Sequence, residues 1–137
     1  MKTRLLYLSI FFAGITNSFA TNVTGGIYSN TTWTKANSPY ILTDTVVIFG
    51  GITLTIQPGV TVKFNSKGYI DNRGTFIAIG TLTDSIIFTS NSTSPYAGIY
   101  SGVGNGTSFI YCSFYYASSA IYNEQGTNLT FFKVFNL

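Results

Sequence analysis

Short apolar runs separated by turn residues fill the chain from Pro39 to its end. The runs are three to seven residues long and rich in Val, Ile, Thr and aromatic residues, as in residues 46–49, 60–64, 86–88 and 109–114. Many alternate apolar and polar positions, which is the period of a β-strand, and no stretch keeps a helical period over twelve residues. The pattern predicts an all-β protein built from short strands.

The pattern also repeats along the chain. Residues 106–115 read GTSFIYCSFY and residues 126–135 read GTNLTFFKVF, so Gly, Thr and three further apolar positions recur after 20 residues. Repeats of about 20–50 residues are typical of stacked units, whereas a sandwich would need a hairpin turn every 8–12 residues or so. We therefore predict a parallel β-helix of about four to five coils, each with two or three short strands.

The first segment of the chain, residues 1–20, has the pattern of a secretory signal peptide. Lys2 and Arg4 precede an apolar run from Leu5 to Phe12, and small residues follow. The run is too short for a membrane span, and the alternative is a buried N-terminal strand. We predict a secreted protein, extracellular or on the cell surface, with no membrane span once the signal peptide is cleaved.

The mature chain is predicted to have two parts. Residues 21–38 are polar and rich in Thr and Asn, with Trp33 as a single large anchor, and they are expected to form a lead-in that caps the first coil. Residues 39–137 are expected to form the β-helix. The run from Leu129 to Leu137 looks like a strand with no polar cap after it, and such an open edge invites pairing. We expect missing coils or a partner to cover this end.

Charge and cysteine content narrow the possible functions. Without residues 1–20 the chain keeps five Lys or Arg against four Asp or Glu, a net charge of +1. So small a charge gives no patch for several phosphates, and nucleic acid is not expected as a partner. Cys112 is the one cysteine, which excludes an intrachain disulfide; a buried thiol is expected, with an interchain bridge as the alternative. The chain has no His, the usual general base.

Five segments form a recognisable set: WT at 33–34, NSPYIL at 37–42, LTIQPGVTVKF at 54–64, NRGTFIAIGT at 72–81 and IIFTS at 86–90. Together they resemble the opening coils of secreted right-handed parallel β-helix proteins of the pectin-lyase-like superfamily, many of them from Bacteroidetes. Ser85 stands where that family often has Pro, and Tyr96 where it often has Trp. The chain is shorter than family members usually are, and the resemblance implies a truncated or partial chain.

Lyases and hydrolases of this superfamily use clustered Asp, often with Ca²⁺, together with Arg or Lys. Here Asp71 has no acidic neighbour one coil away, and with Arg73 it is predicted to belong to a turn. The spacing of 40 residues between Asp44, Asp84 and Glu124 would place them on one side, about 10 Å apart, which is wide for a carboxylate pair. We predict no catalytic residue, metal ligand or cofactor. The alternative is the N-terminal part of a polysaccharide lyase or glycoside hydrolase whose catalytic coils lie beyond this chain.

The candidate binding site is an aromatic platform with five members: Phe109, Tyr111, Tyr115, Phe131 and Phe135. Strand alternation would place the first three on one face, the 20-residue offset adds the other two, and Ser113 and Lys133 on the same face suggest the outside. Such a platform would stack on the sugar rings of a polysaccharide or pack against another surface protein. The alternative is that a corner breaks the alternation and the rings are core. We predict a non-catalytic structural or adhesive module.

Overall fold

The computed structural model describes residues 19–102, 106–124, 128–133 and 135–136, and within these ranges the protein is all-β. The described residues also include one short 3₁₀ helix, Lys35–Asn37. The predicted signal peptide lies, up to residue 18, outside the described residues. In the part of the chain that the structure covers, no helix is long and apolar enough to cross a membrane.

The strands lie on three faces, which the chain visits in the same order in every turn. Two longer strands run across the first and second faces: β1 Thr21–Ile27 and β3 Tyr40–Ile48. The third face holds β2 Thr31–Trp33, β4 Thr53–Ile56, β7 Thr75–Ile79, β10 Gly106–Ile110 and β13 Asn128–Phe132. The first face adds β5 Thr61–Phe64, β8 Ile86–Ser90, β11 Cys112–Tyr115 and β14 Phe135–Asn136. The second face adds β6 Tyr69–Asn72, β9 Gly98–Ser101 and β12 Ile121–Asn123.

The described strands pair in parallel, each with its counterpart one turn later. β3 shows how two faces join, because residues 40–42 pair with β5 whereas residues 46–48 pair with β6. On the third face the order is β2, β4, β7, β10 and β13. Five stacked turns result, which confirms the predicted all-β parallel β-helix of four to five coils.

Residues 21–38, predicted as a lead-in, form the first turn themselves. β1 pairs with β3 along both of its halves, and β2 pairs with β4. Trp33 lies in register with Ile56, is buried, and stacks on Tyr40 with ring centroids 4.7 Å apart. The polar composition of this segment hides its role, because Trp33 is the one residue of 21–38 that is buried and the others are half-buried or exposed.

The turns differ in length, and the predicted 20-residue offset is wrong. Phe109 pairs with Phe131, which is 22 residues later. The preceding step, from Ala78 to Phe109, takes 31 residues. Most of the extra residues lie in two longer corner segments, 80–85 and 91–97, and the strands on either side stay in parallel register.

Aromatic side chains fill the space between the three faces. Phe88 is fully buried and stacks on Phe114, with ring centroids 4.8 Å apart and planes 9° from parallel. Its ring also meets those of Phe64, Phe76 and Phe109 at 6.5, 6.3 and 6.1 Å. Because these residues come from successive turns, their burial holds the turns together along the axis.

Cys112 lies in this core, on β11, as a fully buried free thiol. Its Sγ is 3.4 Å from the carbonyl oxygen of Ala78, and burial raises the pKa of the thiol to about 12. Because the thiolate is the reactive form, we expect DTNB to leave the folded protein unlabelled at mildly alkaline pH. After unfolding in guanidinium, the one thiol of the chain should react fully. Rapid labelling without denaturant would contradict this placement of β11.

Candidate functional site

The predicted aromatic platform does not lie on one face. Phe109 is fully buried in the core, which contradicts its predicted outward orientation. Phe131 lies in register with Phe109, and their rings stack 5.6 Å apart at 13°, so Phe131 also faces the inside of the helix. Phe131 is 50% exposed, because it belongs to the last complete turn that the structure describes.

A corner at Tyr111 explains the wrong orientation. Tyr111 separates β10 from β11 and has a φ of 48°, in the left-handed region. The alternation restarts after this corner, so Cys112 and Phe114 point into the core from the first face. Tyr115 is half-buried on the outer side of β11. The alternative that a corner breaks the alternation is the one the structure shows.

The remaining predicted residues lie apart from one another. Tyr111 packs edge-on against Phe132, with centroids 5.8 Å apart, and Nζ of Lys133 lies 5.7 Å from the Tyr111 centroid. Phe135 pairs with Ser113 through the backbone of β14, and its side chain is outside the described part. The five predicted residues are thus divided among the core, a corner and the first face, and form no common platform.

The carboxylates are also dispersed. Asp44 lies between the two halves of β3, Asp84 between β7 and β8, and Glu124 between β12 and β13, which are three different corners. The expectation that these three share one side is wrong, because turns of unequal length shift their positions. Asp84 is paired with Lys35 at 2.8 Å. Among the described residues, no group of three or more His, Cys, Asp or Glu could hold a metal ion.

A different aromatic surface lies on the outside of the second face. We call it the tyrosine strip, and its members are Tyr69, Asp71, Arg73, Tyr100, Tyr122 and Glu124. Asp71, Tyr100 and Tyr122 form one column, since β6, β9 and β12 pair in that register. The rings of Tyr100 and Tyr122 stack with centroids 5.4 Å apart and planes 12° from parallel. Tyr122 is 61% exposed.

An ion pair belongs to the same strip. Arg73 donates from Nε and Nη2 to one oxygen of Asp71, Oδ2, at 2.9 and 2.7 Å. Asn72, between them, is fully buried: its Oδ1 accepts from the Gly74 backbone N–H at 3.1 Å, and its Nδ2 donates to Oγ1 of Thr107 at 2.9 Å. This buried amide fixes the corner. The ion pair lies on the outer side of β6, with the Arg73 side chain 61% exposed and the Asp71 side chain 11% exposed. Asp71, predicted to belong to a turn, lies instead in β6, and Arg73 follows the end of that strand. The ion pair between them was not anticipated.

Glu124 adds a second carboxylate to the strip. The hydroxyl of Tyr100 donates to Oε2 of Glu124 at 2.6 Å. The pKa of the Tyr100 phenol is raised, first by this hydrogen bond and further by the negative charges of Glu124 and Asp71. Two carboxylates and one guanidinium give the strip a net negative charge.

A second aromatic pair lies on the same face, toward the first turn. The rings of Tyr28 and Phe49 stack 4.8 Å apart at 17°. A Cβ added at Gly26 would run into both rings, so the pair lies directly over this glycine. Gly26, Val47 and Asp71 are in register, which makes them the start of the column that ends in the tyrosines. Aromatic pairs therefore flank the ion pair in both directions along the axis.

The sequence contains a signal for this strip that a 20-residue offset hides. The pair Ile-Tyr occurs at 99–100 and again at 121–122, which is the true 22-residue register of β9 and β12. Read at that offset, the two tyrosines fall into one outward column because their isoleucines point inward.

The fold and the strip define a parallel β-helix with an aromatic outer face. No protein-family model matches the chain, and no solved structure matches it. Similarity exists to Protein bark beetle of Drosophila melanogaster, with 35% identity over 77 residues. The similar region is 56% of this chain, and the chain spans 2% of the length of that protein.

Proposed function

We propose that this chain is a non-catalytic, adhesive module of a secreted or cell-surface protein of the pectin-lyase-like superfamily, and that it binds polysaccharide through the tyrosine strip. The observation that carries the proposal is the strip itself. Two stacked tyrosine rings lie beside an outward ion pair on a regular parallel sheet. The signal-peptide pattern of residues 1–20 supports export.

Exposed aromatic rings on a regular sheet favour a binding role. Tyr122 of the strip is 61% exposed, although its ring has large apolar surface that water solvates poorly. Soluble proteins rarely keep contiguous apolar patches on their surface without a use for them. Backbone pairing between turns holds the rings at a fixed spacing, and a preorganised site loses little conformational freedom on binding.

The arrangement of carboxylates favours binding over catalysis. Cleavage of a glycosidic bond by two carboxyl groups needs them about 5–10 Å apart across the scissile bond, with one free to act as acid. Three of the four carboxylates lie at different corners. Within the strip, Asp71 is held by Arg73 and Glu124 accepts from Tyr100, so each already has a partner.

Retardation in polysaccharide-containing gels, combined with a turnover assay, tests this function. The mature chain should be retarded by at least one neutral or acidic polysaccharide, and the double variant Tyr100→Ala/Tyr122→Ala should lose this retardation. Tyr116→Ala is the matched control, because Tyr116 is 67% exposed and lies outside the strip. Circular dichroism confirms that each variant is folded.

The same incubations should release no new reducing ends and no unsaturated uronate. Turnover of any polymer would show that the chain is an enzyme and would refute the proposal. Retardation that persists unchanged in the double variant would place the binding surface elsewhere.

A further inference from the structure

We infer that the tyrosine strip selects a neutral, hydroxyl-rich polysaccharide that runs along the helix axis, and that it discriminates against polyuronates and sulfated polymers. This inference rests on the proposed binding function and adds the class of ligand. It follows from the shape of the strip, its hydrogen-bonding groups and its charge.

The strip and the Tyr28–Phe49 pair lie along one column that is longer than it is wide, which suits a linear polymer. This column runs from Gly26, under the pair, to Tyr122 of the strip over five turns, a length of about 19 Å at ~4.8 Å per turn. Its width is set by Tyr69, Asp71 and Arg73, alternate positions along one chain segment, and is about 13 Å. A stable protein interface buries roughly 800 Å² on each partner, several times this area. An extended polymer can use the whole strip, whereas a globular partner would need surface beyond it.

The aromatic rings supply the apolar contact. The C–H face of a pyranose is apolar and packs on an aromatic ring as another apolar group would. The most exposed rings are Tyr122, at one end of the column, and Tyr28, which lies over Gly26 at the other end. Tyr100 supports Tyr122 by stacking, and Phe49 supports Tyr28 in the same way, so neither exposed ring has to be ordered when a sugar arrives.

The ion pair supplies hydrogen-bond donors through its exposed guanidinium. Both hydrogen bonds from Arg73 end on Oδ2 of Asp71, so Arg73 does not engage Oδ1. The guanidinium has five N–H groups, of which the pair uses two, and the Arg73 side chain is 61% exposed. A sugar hydroxyl can accept from the exposed guanidinium, whereas the Asp71 side chain, 11% exposed, holds the guanidinium in place. Tyr100 lies in the next turn of the same column, beside this pair.

The charge of the strip excludes an anionic ligand. The one cation, Arg73, is already neutralised by Asp71, and Glu124 adds a further negative charge. A carboxylate or sulfate on the polymer would meet this negative charge, and could use Arg73 fully only by displacing Asp71. Like-charge contacts of this kind are how a surface rejects a wrong partner. A neutral sugar meets no like charge and does not have to displace Asp71.

Affinities for soluble neutral and anionic polymers test the inference. The neutral probes are galactomannan, xyloglucan and hydroxyethylcellulose; the anionic probes are polygalacturonate, alginate and dextran sulfate. We expect the chain to bind neutral probes, with little dependence on salt because no net charge is neutralised.

Tyr122→Ala should weaken this binding about tenfold, whereas Tyr122→Phe, which keeps the ring, should retain most of it. Glu124→Gln should shift the preference toward the anionic probes, and Tyr116→Ala is the control.

The outcomes separate this inference from the function on which it rests. Preferential binding of polygalacturonate, alginate or dextran sulfate, lost in Tyr100→Ala/Tyr122→Ala, would overturn the neutral ligand and leave the binding function intact. Neutral binding that folded Tyr122→Ala retains in full would overturn the assignment to the strip. No binding to any probe would overturn both.

Discussion

Replacing Phe88 with alanine should lower the free energy of unfolding by about 3–5 kcal/mol. Phe88 is fully buried and touches four other rings, stacking on Phe114 at 4.8 Å. The substitution removes the apolar surface that links successive turns and leaves a cavity that the rigid parallel sheets around it cannot close. Urea unfolding should show a lower midpoint with an unchanged slope, since the change acts on stability and not on the surface exposed by unfolding.

Phe132→Ala is the matched control for this prediction. Phe132 is 52% exposed on the outside of β13, so the same chemical change should cost less than about 1 kcal/mol there. Equal losses for Phe88→Ala and Phe132→Ala would show that the central column of rings does not hold the turns together.

Gly98→Ala should lower the free energy of unfolding by at least about 2–3 kcal/mol, through backbone strain and a clash together. Gly98 has a φ of 107°, where side chains are rarely found, and a Cβ there would overlap the carbonyl oxygen of Ser119 in the next turn. The backbone at the start of β9 would have to move, two residues before Tyr100. Thermal unfolding followed by circular dichroism measures the loss, and binding to polysaccharide should weaken with it.

Gly51→Ala separates the destabilisation caused by backbone strain from that caused by the clash. Gly51 also has a positive φ, 79°, but a Cβ there would meet no atom within 4 Å. It should therefore cost only the backbone strain, about 1–2 kcal/mol. If Gly51→Ala is as destabilising as Gly98→Ala, the close approach between β9 and the following turn is wrong.

The fold could be predicted from the sequence because its signals are local and repeated. Short β-branched runs such as residues 60–64 indicate strands, and self-similarity near 20 residues indicates stacking. The true register could not be fixed in the same way. Offsets of 20 and 22 differ by two residues, and a shift of two leaves every strand position on the same face. Hydrophobic alternation therefore fits both offsets. The Ile-Tyr pairs at 99–100 and 121–122 favour 22, and the backbone pairing of Phe109 with Phe131 establishes it.

The tyrosine strip could not be predicted from the hydrophobic pattern. The predicted platform assumed that strand alternation continues through Tyr111. The backbone of Tyr111 is in the left-handed region and turns the chain there. The residues on either side of Tyr111 are not the usual turn residues that would indicate this corner. The tyrosine strip was missed because its members come from three turns of unequal length. Asp71 and Arg73 were recognised as neighbours, but their position beside Tyr100 follows from the pairing of β6 with β9. That pairing joins Asp71 to Tyr100, which are 29 residues apart, and no repeat in the sequence indicates this spacing.

The two longer corner segments, residues 80–85 and 91–97, show where this molecule tolerates additions. Phe64 remains paired with Ser90 before the second segment, and Ala78 with Phe109 across both, although that turn is nine residues longer than the next. The additional residues thus extend outward at the corners between the faces, where they disturb no strand. A peptide epitope grafted at such a corner would be displayed to solvent while the tyrosine strip kept its spacing, which makes the chain a practical scaffold for presenting foreign loops.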